Sequence, residues 1–176
     1  MNIAVFCSAN NQIAPEYFQL TEQLGAWMAE AGHTLVFGGC NSGLMECAAR
    51  AVKAHGGRTL GVIPSLVEEG RRRSEHLDID IPCDNLSDRK ELMMTHAEAF
   101  IALPGGVGTL DEVFTVAASA TIGYHQHPVI LYNMGGFWSH LIALLDDLQA
   151  RGLIRGDWHD RFIVANTLED IQRALQ

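Results

Sequence analysis

The sequence predicts a doubly wound, parallel α/β sheet of about seven strands flanked by helices, Rossmann-like and built as a single domain. Short β-rich runs alternate with helical patterns from end to end, which is the order of linked βαβ units. Most of those runs are continuously apolar rather than alternating, as strands covered on both faces must be. Two strand-to-helix junctions are rich in glycine, at the ends of strands where such sheets receive ligands.

Strands are expected at Ile3–Cys7, Thr34–Phe37, Thr59–Ile63, Leu77–Ile81, Ala99–Leu103, Val129–Tyr132 and Arg161–Ala165. Helices are expected between them, at about Pro15–Ala31, Gly43–His55, Asn85–His96, Thr109–Gly123, Gly135–Arg151 and Thr167–Leu175. Several boundaries have a local cause. Gly32 and Gly56-Gly57 suit the positive φ that ends a helix. Thr109 and Glu112 have the spacing of a capping box, and Pro128 sits where a strand begins and a missing N–H costs least. The stretch Glu68–Ser74, with Arg71-Arg72-Arg73, has no apolar period and reads as a mobile loop.

Length and composition limit the function. At 176 residues the chain suits one domain, and 48% apolar with 19% charged residues can fill a core. The net charge of −9 lacks the basic footprint of a protein that binds extended nucleic acid, so no nucleic-acid partner is expected. Neither a signal peptide nor a membrane span is expected, because no basic start leads into a long apolar run. The four cysteines (Cys7, Cys40, Cys47 and Cys83) form no C-x-x-C pair and read as buried free thiols in a reducing cytoplasm.

The most informative segment runs from Ala99 to Glu112. An apolar strand enters Pro104-Gly105-Gly106-Val107-Gly108, and a helix opening on Thr109 follows at once. Three glycines in four positions let the backbone turn sharply and approach a ligand without a Cβ in the way. Amides of the turn and of the first helical turn converge there, and the helix dipole favours an anion. Thr109 can add a hydroxyl donor. The Walker A pattern is absent, and so is the G-x-G-x-x-G spacing of the dinucleotide fingerprint. A second glycine turn, Phe37-Gly38-Gly39-Cys40-Asn41-Ser42-Gly43, also links a strand to a helix. It reads equally as a structural turn or as a second contact to the same ligand, with Gly39 the candidate.

Pro104–Glu112 matches the P-G-G-x-G-T-x-x-E signature, and by it the chain resembles the Lonely Guy (LOG) family of cytokinin riboside 5′-monophosphate phosphoribohydrolases. Asp88-Arg89-Lys90…Met93 resembles that family's E-R-K-x-x-M segment, 23 residues upstream counted from Arg89 to Glu112. Gly38-Gly39, Gly43-Leu44-Met45 and Gly123…His125…Pro128 are similar to further family segments, so the resemblance spans most of the chain. It implies hydrolysis of the N-glycosidic bond of an adenine nucleotide without metal or organic cofactor. It also implies Arg89 and Glu112 as the catalytic pair, and Gly105, Gly106, Val107, Gly108 and Thr109 as the phosphate cradle. Lys90 and Met93, with Gly39 and Ser8, would line the nucleotide pocket. Departures at Glu46, Cys47, Leu86, Ser87, Asp88, Ser119 and Thr121 fall where the base or an N6 substituent would be recognised, so plain AMP could serve better than a prenylated nucleotide. The same cradle would also serve a non-catalytic nucleotide or molybdenum-cofactor carrier.

Glu112 has two readings. As a carboxylate beside the sugar it suits the positive charge of glycosidic cleavage, whereas in a capping box it would bond the Thr109 amide. Arg89 keeps its proton, so it suits holding substrate rather than donating a proton. His125 and His127 form H-x-H without a third ligand at metal spacing, and no metal is expected. Arg71–Arg73 is either a solvated loop or a closure over a phosphate. The helix 109–123 carries almost no charge after Glu112 and reads as buried, either in the core or against a partner subunit, and a homodimer burying it is expected.

Overall fold

The computed structural model describes residues 1–176, the side chains of residues 67 and 68 aside. Seven strands, β1 (Asn2–Phe6), β2 (Thr34–Phe37), β3 (Arg58–Pro64), β4 (Ile79–Cys83), β5 (Ala99–Ala102), β6 (Val129–Tyr132) and β7 (Phe162–Ala165), form one sheet. The order is β4-β3-β2-β1-β5-β6-β7, and every neighbouring pair is parallel. The chain starts in the middle, winds outward to β4, then returns to the other side of β1. The reversal between β1 and β5 parts the loops that follow them and opens a crevice at their carboxyl ends.

Helices α1 (Pro15–Glu30), α2 (Gly43–Ala54) and α7 (Leu168–Ala174) cover one face, and α4 (Leu86–His96), α5 (Val107–Thr121) and α6 (Ser139–Ala150) cover the other. A short α3 (Ser65–Glu69) follows β3. The two cores follow from the period of a strand. Along β1 and just beyond it, Ile3, Val5 and Cys7 join Leu24, Leu44 and Val52, while Ala4 and Phe6 join Met93, Val113 and Val116.

Several expected boundaries moved for local reasons. The stretch after α3 is held rather than loose: Arg73 bridges Cys40, the Asn41 amide donates to Arg72 O at 2.7 Å, and the Ser74 amide donates to Gly39 O at 2.8 Å. Arg73 also meets Asp80 at 2.6 Å, so Arg71–Arg73 belongs to the β2–α2 turn and does not line the crevice. The side chain of Glu68, at the start of that expected loop, lies outside the described residues. The edge strand β4 lies two residues later than expected, because Asp78 is bonded to the Thr59 amide and Leu77 packs over Gly61. Helix α6 begins at Ser139 rather than Gly135, since Gly135 and Gly136 take positive φ in a separate 3₁₀ turn.

The expected capping box at Thr109 does not form. Helix α5 starts two residues earlier with Gly106 as its N-cap, which puts Glu112 a full turn too deep to reach back. The box of this chain is at Thr167 and Asp170 instead. Within one chain α5 is buried on one side only. Val113, Val116, Ala117 and Ala120 are buried, as are Thr109 and Glu112 at the crevice end, while Phe114 is 41% and Ile122, just past its end, 72% exposed. The four free cysteines are all buried.

Candidate active site

The crevice between the β1 and β5 loops holds about 300 Å³. One wall is the loop Ser8–Asn10, the other the glycine turn with the start of α5, and α4 closes the side with Arg89 and Lys90. The walls are joined below, where the Ser8 amide donates to Pro104 O at 3.0 Å and the Leu103 amide to Phe6 O at 2.9 Å.

The first backbone bond of α5 runs from Leu110 N to Gly106 O at 3.0 Å. None of the amides of Gly105, Gly106, Val107, Gly108 and Thr109 finds an acceptor among the described residues. They lie at the N-terminus of a fifteen-residue helix, where free amides and the helix dipole suit an anion. A Cβ on Gly106 or Gly108 would meet no atom, and both line the crevice. Gly105 differs: a Cβ there would lie 2.0 Å from Thr109 Oγ1, so its bareness keeps Thr109 seated at 4% exposure. Val107 contributes only its amide, since its side chain is 84% exposed on the lip.

This geometry separates stability from ligand binding. Gly108→Ala fills open space inside a helix, so it should raise stability by about 0.5–1 kcal/mol. The added methyl stands where an anion would approach, and affinity for a phosphate ester should fall about tenfold. Thermal melting and calorimetric titration would check both; raised stability with unchanged affinity would put the anion elsewhere.

Arg89 and Glu112 sit at the floor, 9% and 8% exposed. Arg89 Nη2 lies 3.9 Å from Glu112 Oε1, beyond hydrogen-bond reach. Its Nε and Nη2 are buried without an acceptor. Two orphan donors on a buried cation are costly in a finished fold, and a ligand anion would satisfy them. Burial pushes the Glu112 carboxyl up to about 7 and neighbouring Asp111 adds to the rise, while Arg89 and Lys90 oppose it. Cys7 lies beneath, and its thiol is raised well above the ordinary range by burial first and by Glu112 next.

Of the other expected residues, Ser8 and Lys90 line the crevice. Met93 does not. At 1% exposure it packs with the core on the α4–α5 face, because its position on α4 turns it under the site. Gly39 also points away, toward Ile63, whose Cγ1 would lie 2.6 Å from an added Cβ. Its neighbour Gly38 is the one that matters here: a Cβ on it would overlap Arg89 Nη2 at 1.4 Å, so the guanidinium rests on that bare backbone. The rest of the second glycine turn is structural. Gly43, at φ +61°, abuts the backbone of Ser8 and Ala9, its amide donates to Asn11 Oδ1 at 2.8 Å, and the Leu44 amide donates to Ser8 O at 2.8 Å. Sequence reasoning missed Gly38 as a seat, and missed Asn10, Met45 and Asp111 as lining residues. The strand reversal at β1 would have pointed to the loop carrying Asn10.

Comparisons with known proteins give the chain its relatives. A family model described as "Possible lysine decarboxylase" matches residues 45–175. A cytokinin riboside 5′-monophosphate phosphoribohydrolase of Mycobacterium tuberculosis is 36% identical over 98% of this chain and 91% of its own. A protein of Arabidopsis thaliana with the same enzyme name is 35% identical over 99% of this chain and 80% of its own. The Moco carrier protein from Chlamydomonas reinhardtii superposes with a TM-score of 0.74 at 25% identity, over 99% of this chain and 94% of that one. By sequence over nearly its whole length, the chain belongs to the Lonely Guy (LOG) family, whose model bears the lysine decarboxylase label.

Proposed function

We propose that the chain hydrolyses the N-glycosidic bond of an adenine nucleoside 5′-monophosphate, AMP or a cytokinin riboside 5′-monophosphate, to free base and ribose 5-phosphate. The observation that carries this reading is the buried Arg89 with two orphan donors beside a raised Glu112 carboxyl, across from five unpaired amides. In this reading the amides of Gly105–Thr109 take the phosphate, which sets the ribose against the floor. Arg89 holds ribose or phosphate oxygens through fixed hydrogen bonds. The bond from the anomeric carbon to the base nitrogen breaks with its electron pair leaving on the base. Positive charge on the sugar is then stabilised by ionised Glu112, which also takes a proton from the attacking water. That proton balances the one the departing nitrogen gains. Relatives named for this reaction, at 36% and 35% identity, support the assignment.

Incubating the pure protein with AMP and with isopentenyl-AMP should release adenine and its prenylated form, followed by chromatography; release from neither would defeat the reading. The Chlamydomonas likeness supports a different role, a carrier that holds a phosphorylated ligand without cleaving it. Tight retention of a nucleotide with no base formed would favour that carrier.

The protein is also proposed to act as a cytoplasmic homodimer. No helix among the described residues is long and apolar enough to cross a membrane, and the buried free thiols suit a reducing compartment. The outer side of α5 and the turn after it expose Phe114, Ile122 and Tyr124, an apolar surface that a second copy would cover. Ile122→Glu should then shift the sedimentation behaviour to that of a monomer; a wild-type monomer would dismiss the dimer.

A further inference from the structure

We infer that Lys90 and Asp111 form a strut between α4 and α5 that keeps Arg89 out of bonding reach of Glu112, leaving both free for substrate. The inference rests on the proposed hydrolysis and assigns a positioning role within it. Lys90 Nζ is chelated by both carboxylate oxygens of Asp111, at 2.8 and 2.7 Å. Lys90 and Arg89 are consecutive on α4, and Asp111 and Glu112 are consecutive on α5, so the two pairs are parallel rungs between the same helices. The outer rung is closed and the inner one is open, at 3.9 Å.

That contrast needs a cause. A guanidinium and a carboxylate in a nearly dry floor would ordinarily close to about 2.7–2.9 Å. Here the guanidinium is seated on Gly38 from one side, while the outer rung fixes the spacing of the two helices. Lys90 also occupies Asp111, which would otherwise be a second carboxylate at the rim, competing for Arg89 and repelling a phosphate dianion. The charged and titratable groups acting on Glu112 are Arg89 and Lys90 from α4 and Asp111 from its own helix, with the Cys7 thiol after β1 facing it.

Charge reversal tests the strut. Lys90→Met and Asp111→Asn should each lower kcat roughly 10–100-fold, with KM changed less than about threefold. The exchange K90D/D111K rebuilds the rung with opposite polarity and should recover about tenfold over Lys90→Met. No recovery, or a Lys90→Met enzyme with intact kcat and raised KM, would overturn the strut and make Lys90 a substrate contact. If the wild type releases no base from any monophosphate, the hydrolysis reading fails by itself. The strut is then read from the ¹³C-detected titration of Glu112 in K90M/D111L, where the two deleted charges have opposing direct effects. Closure of Arg89 onto Glu112 should bring the midpoint down by about one pH unit or more; an unmoved midpoint overturns the strut.

Discussion

Glu112→Gln should abolish most turnover while making the protein harder to unfold at alkaline pH. The loss follows from removing the one carboxylate at the crevice floor. Proton transfer and charge stabilisation of this kind contribute roughly 10²–10⁴-fold, so kcat should fall by that much while AMP still binds. The stability gain follows from linkage. Burial raises the folded-state pKa of Glu112 to about 7, from an unfolded value near 4.5. Between those values the folded protein holds a proton that the unfolded chain has lost, so stability declines as pH rises through the window. Below pH 4.5 both states are protonated and the group contributes nothing; above 7 the full cost of a buried anion is present. That cost is roughly 3 kcal/mol. Glutamine carries no charge, and its melting temperature should exceed the wild type's by on the order of 5–10 °C at pH 8. Near pH 4.5 the two should nearly coincide. In the wild type, kcat/KM should rise with pH toward a limb near 7 as the carboxyl ionises. Coincident melting curves at pH 8 would mean that Glu112 is not a destabilised buried anion.

Gly38→Ala should lose activity without losing the fold. The new Cβ would lie 1.4 Å from Arg89 Nη2 and 2.6 Å from its Cζ, a clash that the far end of a flexible side chain relieves by leaving. Nothing in the sheet needs to move. Displacing the guanidinium by an ångström or more should reduce kcat/KM about 10²-fold. Melting should shift by no more than about 2 °C. The same substitution on an Arg89→Ala background should do little further, because the seat has no occupant to displace. Equal losses in both backgrounds would show that Gly38 acts otherwise. Steady-state kinetics on the four proteins, with circular dichroism to confirm folding, would decide.

How much of this was legible in the sequence depended on whether the cause was local. The parallel sheet could be read because continuous apolar runs such as Phe100–Leu103 are buried on both faces. The anion turn could be read because Pro104–Gly108 has no economical use except close approach of backbone. Arg89 and Glu112 came from resemblance to a family; spacing alone left Glu112 divided between cap and crevice. Only the start of α5 at Val107 resolves that choice, and helix starts are set by backbone that several residues share. Met93 and Gly39 were misplaced because a motif gives membership of a segment, not the side of the helix or turn that faces a ligand. Gly38 was invisible as a seat because its partner, Arg89, is 51 residues away and meets it only through tertiary packing.

The two sides of the crevice are unequally finished. The loop after β1 is sewn to α2 by Asn11 and Ser8, whereas the opposing five amides have spent none of their hydrogen-bonding capacity. A guest therefore meets an anvil on one side and a tacky lip on the other. Capture then replaces the water on those amides, and entry should be limited by shedding it.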